Sequence, residues 1–239
     1  MFPLKDSVPA KHPSIMMWVV IAANVLVFFV QNDLARANPE QPAWLDYAIV
    51  PALVSWNDPL TWFPLVSSQF LHGGLGHLIS NLWILWIFGD NVEDRMGPLL
   101  FAVFYIACGC VAGLVHIAFG PSSLVPTIGA SGAIAGVLGA YLVLYPHARV
   151  LTLVPLLFLP LVYDLPAYFF LILWFGLQVL NGSLSLFTSE ALSSVAWWAH
   201  VGGFVAGALL CRLFARRRLH PRELQLDEWT LQDLWKRMR

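Results

Sequence analysis

The chain has 239 residues, 59% of them hydrophobic and only 11% charged, and its mean hydropathy is +0.71. This balance excludes an ordinary soluble globular domain and implies an integral membrane protein, with the lipid bilayer as a partner and no nucleic acid expected. The net charge of -1 decides little as a total, because orientation in a bilayer follows which loops carry Lys and Arg.

In chain order, apolar runs long enough to span fall at 14–31, 75–91, 98–119, 129–146, 164–182 and 196–214. Each is near the roughly 20 residues that a hydrocarbon core demands. The expected fold is all-α, a polytopic bundle of six transmembrane helices with a short N-terminus at 1–13 and a tail at 215–239. The first run ends in VFFVQNDLARANPE without a small-residue cleavage site, so it reads as an anchor and not as a signal peptide. Residues 32–74 form a long outside loop whose Trp44, Trp62 and Phe63 suit the headgroup region.

The stretch from Arg149 to Gly182 is too long for one crossing and is interrupted by Pro155, Pro160 and Pro166. The basic residues choose between one span and two. With six spans, Lys5, Lys11, Arg95, Arg149, Arg216, Arg217 and Arg218 lie inside and only Arg36 lies outside. Residues 150–163 are therefore read as a proline-bent interfacial segment, and both termini as cytoplasmic. Residues 183–195 form the loop before the last span. In the tail, Leu224, Leu231, Leu234, Trp235 and Met238 fit an amphipathic cytoplasmic helix or, equally, a solvated one. Cys108, Cys110 and Cys211 lie in apolar runs and read as packing residues, since two cysteines in hydrocarbon leave a metal's coordination incomplete.

Polar groups inside a bilayer are costly, and four stand out: His77, Asn81, Ser131 and His200. A helix from Ser131 to about Tyr145 is only ~22 Å long at 1.5 Å per residue, short of the ~30 Å core. Ser131 then sits at a helix N-terminus below the membrane surface, where free N–H groups and the helix dipole favour a developing negative charge. A serine that merely caps a helix is the plain alternative. His200 precedes Gly203 and Gly207 on one helical face, and small residues so spaced let transmembrane backbones approach closely. Ala135 and Gly139 offer a matching face after Ser131, and contact between the two brings the imidazole within hydrogen-bond reach of the hydroxyl. A serine with a histidine base is the minimum that activates a hydroxyl at neutral pH. His77 and Asn81, four residues apart, share a helical face. They can donate to an oxyanion together with the Ser131 backbone N–H, or form an interhelical polar clamp. Glu93, Arg95, His116, Asp90 and Asp164 read as structural.

These residues resemble the rhomboid family of intramembrane serine proteases. The resemblance rests on GASG at 129–132, on AHVGG with Gly203 and Gly207, and on HGGLGHLISN with His72, His77 and Asn81, in the family's order and along nearly the whole chain to about residue 214. It implies Ser131 as nucleophile, His200 as general base and acid, and His77 and Asn81 as oxyanion-hole side chains. It further implies transmembrane helices of other proteins as substrates, cleavage near the outer membrane face, no cofactor, and a fifth helix with its following loop as the entry gate. Two departures stand out. TWFPL occupies the place of a Trp-Arg pair common in the first loop, and Ala135 stands where some members carry a tyrosine that stacks on the catalytic histidine. Competing readings are a catalytically silent relative that binds membrane clients, and a small transporter, which would need charged positions at mid-bilayer. Six spans without a large soluble domain or transit peptide suit a bacterial inner membrane.

Overall fold

The structure is a computed structural model that describes residues 1–38, 40, 42–55, 57–156, 159–187 and 195–215. The six apolar runs each carry a helix: α1 Ile15–Ala37, α3 Leu75–Met96, α4 Pro98–Phe119, α5 Ser131–Leu144, α6 Ala167–Ser185 and α7 Trp197–Phe214, with a short α2 at Pro64–Ser67. Hydrocarbon cannot hydrogen-bond exposed backbone, so apolar runs of this length satisfy their own amides by coiling. Among the described residues, α1, α4, α6 and α7 are long and apolar enough to cross a membrane. The helical segment Pro59–Phe70 meets α3 at an 80° bend. Between α3 and α4 the break is local chemistry. Gly97 takes φ +81, its N–H closes on the Glu93 carbonyl, and Pro98 starts the next helix where no N–H is needed.

At 14 residues, α5 rises only ~21 Å. It is buried along almost its whole length, from Gly132 to Tyr141, and forms the axis around which α3, α4 and α7 pack. Large apolar side chains such as Phe29, Ile172, Leu209 and Leu213 point outward instead, as lipid-facing positions require.

Glycines set the closest contact, between α5 and α7. A Cβ on Gly203 would overlap the carbonyl of Gly132, one on Gly207 that of Gly136, and one on Gly139 that of Phe204. Of the expected face, Gly139 makes this contact, and Ala135 gives way to Gly136 and Gly132. Ala135 is buried elsewhere in the core. The reason is angular: a stripe that ran through Ser131 would bury its side chain in the helix contact, whereas a stripe one residue on, ~100° around, leaves it free. Cys108 and Cys211 are buried free thiols, and Cys108 packs against Gly136.

Residues 150–163, expected as a proline-bent interfacial segment, carry strands. Strands β2 Arg149–Leu156 and β3 Leu159–Pro166 form an antiparallel hairpin, and β1 Phe2–Asp6 adds to it in the order β1-β2-β3. The prolines are compatible because Pro155 and Pro160 face each other beyond the reach of β1, which pairs only with Val150–Leu153. Arg149 and Asp164 clamp the open end at 3.1 Å. The N-terminal segment is tied to the helices as well. Trp83 Nε1 donates to the Pro3 carbonyl at 2.7 Å, and Asp6 accepts from Asn91 at 2.8 Å and from the Tyr141 hydroxyl. Glu93 accepts from the Met16 and Met17 amides at 2.9 and 2.7 Å, capping α1 from α3. Residues 216–239 of the amphipathic tail expected at 215–239, and residues 188–194 of the loop before α7, lie outside the described residues.

Candidate active site

Ser131 is the first residue of α5, with Ala130 at the N-cap and no side-chain capping bond. Its hydroxyl is thus not spent on closing the helix end. Gly129 leads into it with φ +132, a conformation that L side chains rarely adopt. A Cβ there would also sit 2.8–2.9 Å from the His77 imidazole and 3.6 Å from Ser131 Oγ. Glycine is needed on both counts, and the space it vacates lies between the serine and His77. The Gly129 N–H donates to the Ser68 carbonyl at 2.9 Å, and Thr127 bridges to Ile49, so the loop before α5 is pinned to the segment before α3.

His77 and Asn81 project from the first turns of α3. His77 Nδ1 accepts a weak bond from the Gly73 N–H at 3.4 Å, which leaves Nε2 as the protonated nitrogen beside Gly129. His72 is fully buried and meets His77 edge to face at 5.1 Å. The His72 backbone is gripped in turn by Gln31 of α1, through bonds of 2.8 and 3.0 Å. Asn81 is buried, and its amide nitrogen has no partner among the described residues.

His200 lies in the first turn of α7, where Gly132 of α5 packs against Ala199. Ser131 and His200, expected within hydrogen-bond reach, line the same cavity but share no hydrogen bond. The His200 ring instead bonds through Nδ1 to Gln178 Oε1 of α6 at 2.8 Å. Catalytic hydrogen bonds in ligand-free sites are often long and tighten only around substrate. Trp174 and Trp197 flank the ring at 6.0 and 6.2 Å, in the absence of an aromatic at Ala135.

Ser131, His200, His77 and Asn81 all line one cavity of about 600 Å³, with Gly129, Ser68 and Gln69 in its wall. Helices distant in sequence thus deliver a hydroxyl, an imidazole and two side-chain donors to one space. His116 does not join them; it pairs with Thr127 at 2.8 Å and steadies the loop before α5. Among the described residues no group of His, Cys, Asp and Glu is placed to hold a metal. Gln178 has no part in the motifs and goes unread in the sequence. Its signal is simply an amide in an apolar helix, a costly choice that calls for a partner.

A rhomboid-domain family model matches residues 59–217, more than half of the chain. The chain belongs to the rhomboid family. Rhomboid protease GluP of Bacillus subtilis is 31% identical over 125 residues, which cover 52% of this chain and 24% of that protein. The human presenilin-associated rhomboid-like protein, mitochondrial, is 26% identical over 204 residues, or 79% of this chain and 45% of its own length. Rhomboid protein 1, mitochondrial, of Saccharomyces cerevisiae is 27% identical over 148 residues, covering 60% and 40%. This rhomboid chain therefore spans less than half the length of these relatives. Ser131, His200, His77 and Asn81 all fall inside the matched domain.

Proposed function

We propose that this rhomboid chain is an intramembrane serine endopeptidase that cleaves transmembrane segments of other proteins. One observation carries the reading: a serine on α5, a histidine on α7 and two donors on α3 share a single cavity between membrane helices. In the reaction Ser131 Oγ attacks the scissile carbonyl while His200 Nε2 takes its proton. The new C–O bond drives negative charge onto the carbonyl oxygen, which His77 Nε2–H, the Asn81 amide and the Ser131 N–H receive. Collapse breaks the C–N bond, His200 returns the proton to the leaving amine, and water then releases the acyl-enzyme by the same path reversed. No cofactor is required. The proposed setting is a bacterial inner membrane with both termini cytoplasmic, and loop 183–195 with α6 serves as the proposed entry gate.

The test is to incubate the purified protein and its Ser131→Ala variant with a helical membrane substrate. Cleavage by the first and not the second is expected. Equal cleavage by both, or none by either across several substrates, would sink the reading. A second reading, a silent membrane client-binding protein, draws on the missing Ser131–His200 hydrogen bond, and binding without cleavage would favour it.

A further inference from the structure

We infer that Gln178 is the positioning residue of the dyad: its side-chain carbonyl holds the proton of His200 on Nδ1 and so presents the basic Nε2 to Ser131. The inference rests on the proteolytic reading above. Its geometric basis is independent of any family pattern.

The orientation of the amide is set from within α6. Gln178 Nε2 donates to the Trp174 carbonyl one turn earlier at 3.2 Å. Turning the amide over would place two carbonyl oxygens against each other, so Oε1 is the atom left to face His200. An acceptor 2.8 Å from Nδ1 requires that nitrogen to carry the proton. In a neutral imidazole the lone pair then resides on Nε2, the form a general base needs. Gln178 is itself buried at 6% exposure, so no solvent competes for its carbonyl. Trp174 and Trp197 restrict the ring's tilt from two directions, at interplanar angles of 31° and 87°. The same bond also stabilises the imidazolium that forms when Ser131 gives up its proton, since a protonated ring still donates from Nδ1. A neutral amide does so less strongly than a carboxylate, which gives the site a measurable signature.

Two substitutions separate this role from packing. Gln178→Met keeps the length and volume and removes the acceptor, whereas Gln178→Glu keeps an acceptor and adds a negative charge. With full-length protein in lipid vesicles and a helical substrate, Gln178→Met is expected to lower kcat on the order of ten- to a hundred-fold at unchanged KM, part of what a positioned base supplies. Gln178→Glu is expected to recover most of that loss and to move the acidic limb of the kcat profile to higher pH, because an anion favours the imidazolium. A Gln178→Met enzyme with wild-type kcat and pH profile overturns the inference while leaving the proteolytic reading intact. If wild-type protein and Ser131→Ala are equally silent, that reading fails instead. Nitrogen NMR of the His200 ring then decides the pairing directly. An Nδ1-protonated tautomer that is lost in Gln178→Met supports it, and an unchanged tautomer overturns it.

Discussion

Gly207 of α7 lies against the carbonyl of Gly136 in α5, so close that a methyl group at 207 would overlap the opposing backbone. That contact fixes how far the helix carrying His200 stands from the helix that begins at Ser131. Gly207→Ala is expected to destabilise the fold by about 1–3 kcal/mol, because backbone cannot swing aside as a side chain can. Gly176→Ala in α6, where a Cβ meets nothing within 4 Å, is the control, neutral or stabilising by up to ~1 kcal/mol. Thermal unfolding in detergent checks both, and a Gly207→Ala protein as stable as the control would contradict the packing.

Gly129 separates effects on the site from effects on the fold. Its φ of +132 and the overlap of a Cβ with the His77 ring strain any side chain there, and relief comes from moving His77 or the backbone that leads into Ser131. Gly129→Ala is expected to abolish most cleavage while shifting the unfolding temperature less than Gly207→Ala does. Cleavage at the wild-type rate would show that the loop before α5 tolerates a Cβ without disturbing the serine.

The Asn81 amide nitrogen is buried beside the cavity and has no partner among the described residues. A buried donor left unpaired costs stability in the resting protein and is free to act when an oxyanion forms. Asn81→Ala is thus expected to lower kcat on the order of a hundred- to a thousand-fold, as losing one oxyanion donor does, with little change in KM. Its unfolding temperature should hold or rise. A fall in stability with kcat unchanged would assign Asn81 to an interhelical clamp.

Much of this arrangement is readable from residues alone, for reasons specific to each. The six long helices follow from apolar runs and their length, and four of them are long and apolar enough to cross a membrane; α5 is short because its apolar run is short. The sheet is not readable in this way, because β1 is five residues long and pairs with a strand more than 140 positions away. No local period announces such a partnership. The α5–α7 contact shows a finer limit. Spacing identifies a small-residue face, but only the need to leave Ser131 facing the cavity selects Gly132 and Gly136 over Ala135. Gln178 lies 22 residues before His200, on another helix, and only folding makes it a neighbour.

Asp6 ties β1 to the helix bundle, and its protonation links that docking to pH. Burial, outweighing the hydrogen bond from Tyr141 and reinforced by nearby Asp90, pushes the carboxyl from 3.8 up to about 8. The folded value is raised, so the docked state binds a proton that the undocked state releases. Docking is therefore strongest below pH 4, weakens steadily as pH rises from about 4 to about 8, and levels off above that. Asp6→Asn keeps an acceptor for Tyr141 and removes this group's titration, so its docking should vary less with pH across the same window than the wild type's. Amide hydrogen exchange of Phe2–Asp6, read as protection against pH, checks this after correction for intrinsic exchange. Protection that is equally flat in the wild-type protein would mean that Asp6 docks as a carboxylate. In that case its partners, Asn91 and Tyr141, outweigh the cost of burying the charge.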